Sequence, residues 1–274
     1  MITASGITQS ASTDVSPRAE WPMDTYISAW KLFRTMSDEN ELTARHILSR
    51  PRWPRDAGEL RLVDFGCGDG TLVEALILEC NQPIPLVHLV DPDEELLKQA
   101  KDRVAGLEPV RDVRATLGRA EEVVGEVTRD ADAALAVHLV YLLKKSETNC
   151  LLTRTARDVP LYVVMDEPTS VFTKLWKVTA QKYWTRLIQA HQVIQSLART
   201  NRYSVEMTRF ETHLMDPFRL GGKERDLILS FLSYTDFRNL DARSREWARA
   251  VISEHSFSGR VVCSCMCYEV VRIA

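Results

Sequence analysis

Short apolar runs alternate with amphipathic stretches along most of this chain, a pattern typical of strands followed by helices. The apolar runs predict strands at 61–66, 86–91, 112–117, 132–138 and 160–166. Apolar positions at helical spacing predict helices at 71–80, 93–105, 119–126, 146–157 and 170–199. The last of these is long, and we expect it to break near Thr179. This alternation predicts an α/β fold built on a parallel sheet.

The N-terminal segment has a different pattern. Residues 1–20 are rich in Ser, Thr and Ala and hold few large apolar groups, so we expect a disordered tail. Helices are predicted over 24–36 and 38–49, and a proline-containing linker follows them. We therefore divide the chain into the tail, an N-terminal helical cap at 21–58 and a core at 59–274.

The C-terminal third adds two strands and an insertion. Alternating apolar residues predict strands over 203–212 and 260–272. The stretch between them, 213–259, has helical patterns at 223–233 and 241–255. We expect this insertion and the N-terminal cap to form a lid over the carboxyl ends of the strands, where open parallel sheets bind ligands.

Residues 61–70 hold the most informative motif. An apolar strand ends near Asp64, and Gly66, Gly68 and Gly70 follow at alternate positions, directly before a predicted helix. Because glycine has no Cβ, the backbone can turn tightly and a ligand can lie against it. The helix N-terminus adds free N–H groups. The motif predicts a nucleotide-type binding turn at the carboxyl end of a parallel strand.

The spacing of this turn separates two ligand classes. The dinucleotide fingerprint G-x-G-x-x-G would need a third glycine at the position of Thr71. The spacing D-x-G-x-G-x-G instead resembles the first motif of the class I methyltransferases that depend on S-adenosylmethionine (SAM). A second apolar strand ends in Asp91, whose carboxylate could accept hydrogen bonds from both ribose hydroxyls. A dinucleotide site and a plain strand–turn–helix remain the alternatives.

The class I resemblance implies a fold and a set of donor contacts. The fold is a Rossmann-like seven-stranded sheet with helices on both faces and an antiparallel last strand, and the cofactor is SAM. The turn after the third strand would line the adenine, although Arg119 stands where many such enzymes carry an acid. The residues expected to bind SAM are Asp64, Gly66, Cys67, Gly68, Asp69, Gly70, Asp91, Pro92, Arg119, Ala120 and His138.

Polar residues follow the fourth and fifth predicted strands, namely His138 and Tyr141, then Asp166 and Glu167. His138 is either a buried and inert histidine, or a ligand or proton acceptor, since histidine titrates near neutrality. Glu167 is either a substrate-facing acid or a charge favoured by the dipole of the following helix.

Aromatic residues are spaced on two helical faces. Tyr26, Trp30 and Phe33 share one face of the first helix, and Phe172 and Trp176 lie one turn apart after the fifth strand. They either pack against the core or form the wall of a pocket over the methyl donor. An amine would suit such a wall, because each aromatic face attracts a cation with about 0.5–2 kcal/mol.

Several segments also resemble the histamine N-methyltransferase group of small-amine methyltransferases. The Tyr26–Phe33 segment is similar to that group's aromatic helix, and Glu39 falls at its substrate-binding glutamate. The segment from Phe172 to Trp176 is similar to one with two tryptophans, and 259–274 resembles its last strand. The resemblance implies the substrate-binding residues Tyr26, Trp30, Glu39, Tyr141, Phe172, Trp176 and Cys265, and the position of Glu167 after the fifth strand adds it to this set.

The chain departs from that group at polar positions. His138 replaces a glutamine, Cys265 replaces an asparagine, and Leu142 replaces the second of two tyrosines, of which Tyr141 matches the first. The aromatic residues of the pocket are matched but its polar contacts are changed, so we do not expect histamine itself as substrate. Glu39 and His138 are the candidate catalytic residues, because an amine acceptor must lose a proton.

The composition argues against several classes of binding partner. The net charge is −3 and no basic cluster is present, which argues against nucleic acid. The longest apolar stretch, 131–143, is too short for a membrane span. Six cysteines without a signal peptide predict free thiols in a reducing, cytoplasmic compartment. Cys263, Cys265 and Cys267 alternate as on a core strand and lack zinc-type spacing, so no metal site is predicted.

The sequence thus predicts a SAM-dependent methyltransferase that acts on a small molecule, with an amine nitrogen as the favoured acceptor. Three alternatives stay open. One is a small-molecule O-methyltransferase. Another is an enzyme of the same fold that transfers the aminocarboxypropyl group of SAM or cyclises SAM. The third is a catalytically silent methyltransferase-like partner protein.

Overall fold

The computed structural model describes residues 23–55, 58–80 and 82–273. The tail expected at 1–20 lies outside the described residues. The helices are α1 (Met23–Met36), α2 (Glu39–Leu48), α3 (Thr71–Glu79), α4 (Glu94–Ala105), α5 (Ala120–Val127), α6 (Lys145–Arg154), α7 (Val171–Thr179), α8 (Gln181–Ala198), α9 (Gly222–Ser233) and α10 (Ala242–Glu254). The strands are β1 (Arg61–Phe65), β2 (Ile84–Asp91), β3 (Val110–Leu117), β4 (Ala133–Val137), β5 (Leu161–Asp166), β6 (Tyr203–Met215), β7 (Ser256–Phe257) and β8 (Arg260–Arg272).

The strands form one mixed sheet in the order β3-β2-β1-β4-β5-β8-β6, and β7 pairs with β8. The first five strands in this order are parallel, while β8 is antiparallel to both β5 and β6. The predicted α/β fold with an antiparallel last strand is therefore confirmed. The two-residue β7 was not predicted, because so short a strand leaves no periodicity to detect.

One boundary agrees with its prediction and another differs from it. The helical stretch 170–199 divides at Ala180, so the break expected near Thr179 is confirmed. Strand β6 continues three residues beyond its predicted end, because it pairs with β8 in unbroken register from Tyr203↔Arg272 to Met215↔Arg260. The first three residues of the predicted insertion, 213–215, therefore belong to β6.

The core lies in two apolar layers, one on each face of the sheet. In β4, Ala134 and Ala136 belong to one layer, and Ala133 and Leu135 belong to the other. Every residue of β5 is buried, as expected for a strand that helices cover on both faces. Because β1, β2, β4 and β5 are parallel, their carboxyl ends lie along one edge of the sheet. Ligands of open parallel sheets bind at this edge.

Two findings bear on the compartment and partners predicted from composition. No helix in the described part of the chain combines the length and the apolar character of a membrane span. The six cysteines are free thiols. Cys263, Cys265 and Cys267 are buried in β8, as predicted for a core strand.

Close packing at Gly70 gives a first testable prediction. Gly70 has a φ of 80°, and a Cβ there would lie 2.8 Å from the backbone Cα of Ala100 in α4. Gly70→Ala should therefore lower the free energy of unfolding by about 1–3 kcal/mol, measured by urea denaturation. Gly222→Ala is the matched control, because nothing lies within 4 Å of its Cβ position. Equal stabilities of the two variants would contradict the packing argument.

Candidate functional site

A cavity of about 220 Å³ lies at the carboxyl edge of the parallel strands. Its floor is the glycine turn together with the ends of β2, β4 and β5, and its walls come from α1, α7 and α9. This is the position at which open α/β sheets bind their ligands. The cavity has two chemically different ends, one at the glycine turn and one among aromatic and acidic side chains.

At the turn, Gly66, Gly68 and Gly70 all adopt left-handed backbone angles, with φ of 68°, 55° and 80°. Only glycine adopts this region without strain, which explains the repeated glycine. The carboxylate of Asp91 accepts hydrogen bonds from the backbone N–H of Gly68 and of Asp93, both at 2.9 Å. The predicted ribose-binding acid thus also holds the turn in shape.

The second acid of the turn, Asp64, is 2% exposed. Burial, followed by the nearby charge of Asp91, raises the pKa of Asp64 to about 8, although Arg34 opposes the rise. Asp64 is therefore mainly neutral at pH 7. Asp91, whose nearby charge contributes to that rise, accepts the two backbone hydrogen bonds that brace the turn.

Helix α1 closes over the glycine turn through Trp30 and Arg34. The Trp30 ring lies 3.4 Å from the Cβ position of Gly68, and the Arg34 guanidinium stacks 4.4 Å from the centre of that ring. Arg34 also pairs with Asp69 and donates a 2.8 Å hydrogen bond to Thr71. Trp30, predicted as part of the acceptor wall, lines the cavity at the end formed by the glycine turn.

The far end of the cavity is aromatic. The Trp176 ring lies 5.0 Å from Tyr141, 6.0 Å from Phe172 and 5.5 Å from Tyr234 between ring centres. The centres of the Tyr26 ring of α1 and the Tyr234 ring lie 6.1 Å apart, so the two predicted aromatic sets join through the residue that follows α9. These side chains both pack together and line the cavity, so the two interpretations offered for them are compatible.

Beside the aromatic side chains lies a polar group of three residues, Glu39, His138 and Asp166, which we call the acid–histidine cluster. His138 Nε2 is 3.2 Å from Glu39 Oε1, and His138 Nδ1 is 3.8 Å from Asp166 Oδ2. Nε2 is buried and its contact with Glu39 lacks the angle of a hydrogen bond, so the two form an ion pair. His138 has a φ of 52°, a strained value of the kind that clusters at functional sites.

The charges of the cluster follow from its burial and its contacts. Burial alone would lower the pKa of His138, but the Glu39 and Asp166 carboxylates raise it to about 9. Burial raises the pKa of Asp166 to about 6, against the effect of His138. Burial would also raise the pKa of Glu39, yet His138 and Arg34 hold it below its usual value. At pH 7 an imidazolium thus lies between two carboxylates, with a net charge of about −1.

The cluster also holds atoms of the kind that bind metal ions. Ligand-type atoms of Glu39, His138 and Cys265 lie within 4.8 Å of one another, although the sequence predicted no metal site. The fold, and not the spacing of the cysteines, brings Cys265 beside the other two. Burial, followed by Asp166 and Glu39, holds the pKa of the Cys265 thiol well above its usual value, so a metal would have to displace its proton.

Most residues predicted from the sequence line the cavity, and a few do not. Lining residues are Tyr26, Trp30, Glu39, Asp64, Gly66, Cys67, Gly68, Asp91, Pro92, His138, Tyr141, Phe172 and Trp176. Asp69 and Gly70 lie in the turn behind them, Ala120 packs in the core at the start of α5, and Cys265 is fully buried beside the cluster.

Two predicted site residues, Arg119 and Glu167, are not among those that line the cavity. Arg119 pairs with Glu121 and Glu147, and its predicted contact with the adenine stays a prediction. Glu167 Oε2 lies 2.9 Å from Arg209 Nε of β6, the strand on the far side of β8 from β5. The sequence offered no sign of that partner, because it depends on the pairing of β6 with β8.

Residues that received no role from the sequence complete the cavity. Asp166 forms the second acid of the cluster, and Arg34 and Asn40 stand at the entrance from α1 and α2. Phe231 comes from α9 of the insertion, and Tyr234 is the residue that follows α9. Their only sequence signal was a helical pattern, which does not say where a helix packs.

Comparison with known proteins gives likeness in fold alone. No family model matches the chain, and no curated protein matches it in sequence. A protein of Bacillus halodurans C-125, provisionally assigned as a methyltransferase, superposes with a TM-score of 0.55 at 10% identity, over 85% of this chain and 99% of that one. The YcgJ protein of Bacillus subtilis superposes with a TM-score of 0.50 at 13% identity, over 79% and 93% of the two chains.

A third solved structure is the plantazolicin methyltransferase BamL, in complex with a triazolic desmethylPZN analog and S-adenosylhomocysteine (SAH). Its TM-score is 0.46 at 16% identity, over 93% of this chain and 97% of that one. The first two likenesses support the α/β fold, and at such identities they carry no residue roles. The neighbours do not single out the histamine N-methyltransferase group.

Proposed function

We propose that this protein is a SAM-dependent methyltransferase that methylates a small molecule, at an amine nitrogen. The observation that carries the proposal is the left-handed glycine turn braced by Asp91, at the carboxyl ends of β1 and β2. A ribose and its attached nucleoside suit this turn, because the glycines allow close approach and Asp91 offers two acceptor oxygens. The fold it shares with the first two structural neighbours supports the same conclusion.

The proposed chemistry is in-line displacement at the sulfonium methyl group. The acceptor nitrogen forms the new N–C bond while the S–C bond breaks and SAH leaves. Holding nucleophile and methyl group in line at near-contact distance can lower the barrier by about 7–11 kcal/mol. In this cavity the donor would lie against Gly68 and Asp91, and the acceptor would lie between the aromatic side chains and the acid–histidine cluster.

The chemistry of the acceptor end supports an amine. The rings of Tyr141, Trp176 and Tyr234 present faces that attract cations, and the adjacent cluster has a net negative charge at pH 7. A carboxylic acid would be repelled by the same groups. A phenol would gain less from the negative charge than an ammonium ion, which makes O-methylation the second candidate.

Donor binding is the first test. SAM and SAH should bind in isothermal titration calorimetry, and NAD should not. Asp91→Asn should weaken SAH binding by about 1.5 kcal/mol, roughly ten-fold, because it removes the charge and one acceptor oxygen. Asp102→Asn, an exposed change on α4, is the matched control. Tight NAD binding, or absence of SAH binding by the wild type, would contradict the proposal and favour a dinucleotide enzyme or a catalytically silent protein.

A panel of small amines, phenols and carboxylic acids, incubated with SAM and followed by mass spectrometry, tests the acceptor class. Amines should gain 14 mass units first. Methylation of phenols alone would replace the amine assignment with O-methylation. Consumption of SAM without any methylated product would point to transfer of its aminocarboxypropyl group or to its cyclisation.

A further inference from the structure

We propose that Glu39, His138 and Asp166 form a subsite for a single positive charge, in which the acceptor ammonium replaces the imidazolium charge. Binding of the amine then makes His138 release its proton to solvent, before methyl transfer. The inference rests on the proposed function, since it assumes an amine acceptor. It assigns the deprotonation of the acceptor to a cluster of three residues, including Asp166, to which the sequence gave no role.

The geometry places one imidazole between two carboxylates inside the cavity. Nε2 of His138 faces Glu39 and Nδ1 faces Asp166, at 3.2 Å and 3.8 Å. All three side chains line the cavity, so a ligand there can reach each of them. The buried Nε2 has an ion-pair partner but no hydrogen-bond acceptor in line with it. Both carboxylates act on the imidazolium by charge, and a cation that reaches them competes with it.

The other titratable groups around His138 do not change this balance. Tyr141, whose ring lies 6.1 Å from the imidazole, and Cys265 of β8 both have pKa values held well above their usual range by burial, so they stay neutral. The nearest cation is Arg34, which acts on Glu39 and already pairs with Asp69. The cluster therefore contains two negative charges and one positive charge, with room for one further cation before its charge is neutral.

A second cation in this space repels the imidazolium. Charges a few ångströms apart interact far more strongly in a site shielded from water than in bulk solvent. The carboxylates raise the pKa of His138 to about 9, and an ammonium ion that shares them removes part of that stabilisation. The pKa of His138 then falls, and at neutral pH the imidazole loses its proton to solvent.

The proton balance of the reaction follows. The neutral His138 has a lone pair with which it accepts one proton from the bound ammonium, and the free amine attacks the methyl group. The N–C bond forms, the S–C bond breaks, and SAH and the methylated ammonium leave with His138 protonated as it began. For a primary amine the sum is R–NH₃⁺ + SAM⁺ → R–NH₂–CH₃⁺ + SAH + H⁺. The one proton released is the proton that leaves His138 on binding.

Nuclear magnetic resonance of ring-labelled histidine tests the proposal in the SAH complex. The His138 signals are identified by their loss in His138→Gln. Benzylammonium should lower the apparent pKa of His138 by at least one unit, a ten-fold loss in proton affinity, and benzyl alcohol of the same shape should leave it unchanged. No shift with benzylammonium up to its solubility limit, or equal shifts with both compounds, overturns the proposal.

A variant separates a charge effect from a structural one. Asp166→Asn removes one carboxylate, so the His138 pKa in the free enzyme should fall, and the protons released on benzylammonium binding should fall below those of the wild type. Calorimetry in phosphate and in Tris buffer, whose ionisation enthalpies differ, counts these protons. Asp158→Asn is the exposed control. Unchanged proton release in a folded Asp166→Asn overturns the role of Asp166.

The failure of this inference is distinct from the failure of the proposed function. Methylated amines in the panel together with a constant His138 pKa would leave the function intact and reject the subsite. A pKa shift with benzylammonium but no methylated amine would keep the subsite and reject the function. A stoichiometric metal ion in the purified protein, bound through His138 and Cys265, would also overturn the proposal, because it would occupy the place of the ammonium.

Discussion

Valine at position 68 should abolish binding of SAM and SAH, with a loss of at least 100-fold in affinity, or about 2.7 kcal/mol. Gly68 has a φ of 55°, which a β-branched residue adopts only with strain. Its Cβ would point at the Trp30 ring, 3.4 Å away, into the space between the turn and α1. The proposed donor must lie in that same space, so the added methyl groups would exclude it.

The measurement is calorimetry with SAH, accompanied by a thermal melt. Gly221→Val is the matched control, because its φ is −68° and nothing lies within 4 Å of its Cβ position. It should bind SAH as the wild type does. A folded Gly68→Val protein with normal SAH affinity would show that the donor does not lie against Gly68. It would also reject the glycine turn as the basis of the proposed function.

The fold followed from the sequence because its signals are local. A parallel strand buried on both faces, such as β5, needs a continuous apolar run, and a glycine turn needs residues that adopt a positive φ. The end of β6 was predicted three residues short, since its extension depends on register with β8 and not on its own pattern. Local pattern therefore predicts which elements exist better than it predicts where pairing ends them.

The residues of the site likewise fall into those that local pattern predicts and those that it does not. Residues at the carboxyl ends of parallel strands, such as Asp91 and His138, could be found because topology brings those ends together. Tyr234 could not, because its position depends on how α9 packs against α1. Glu167 pairs with Arg209, a contact that depends on how β6 joins the sheet through β8 and that sequence alone does not show. Side chains placed by tertiary packing are thus the ones that sequence alone missed.

Glu39→Gln should lower kcat/KM for an amine acceptor by at least 30-fold, or about 2 kcal/mol, while SAH affinity stays unchanged. Glutamine keeps the size of the side chain but removes the charge that would pair with the ammonium. The carboxylate is mostly shielded from water, so the loss exceeds that of a surface pair. Glu41→Gln on the exposed face of the same helix is the control and should behave as the wild type. Equal kinetics of the two variants would reject the amine assignment.

The same substitution has a signature in stability that needs no acceptor. The pKa of His138 is raised in the folded protein above its ordinary value of 6.5, so the protonated histidine stabilises the fold fully below pH 6.5. That contribution is lost as the pH rises through about 9 and amounts to at most about 3 kcal/mol. Urea denaturation from pH 6 to 10 should therefore show a steeper decline in the wild type than in Glu39→Gln, while the decline that Asp64 contributes up to its pKa of about 8 is common to both proteins. A parallel decline in both proteins would mean that Glu39 does not hold the charge of His138. It would leave the acid–histidine cluster without its electrostatic basis.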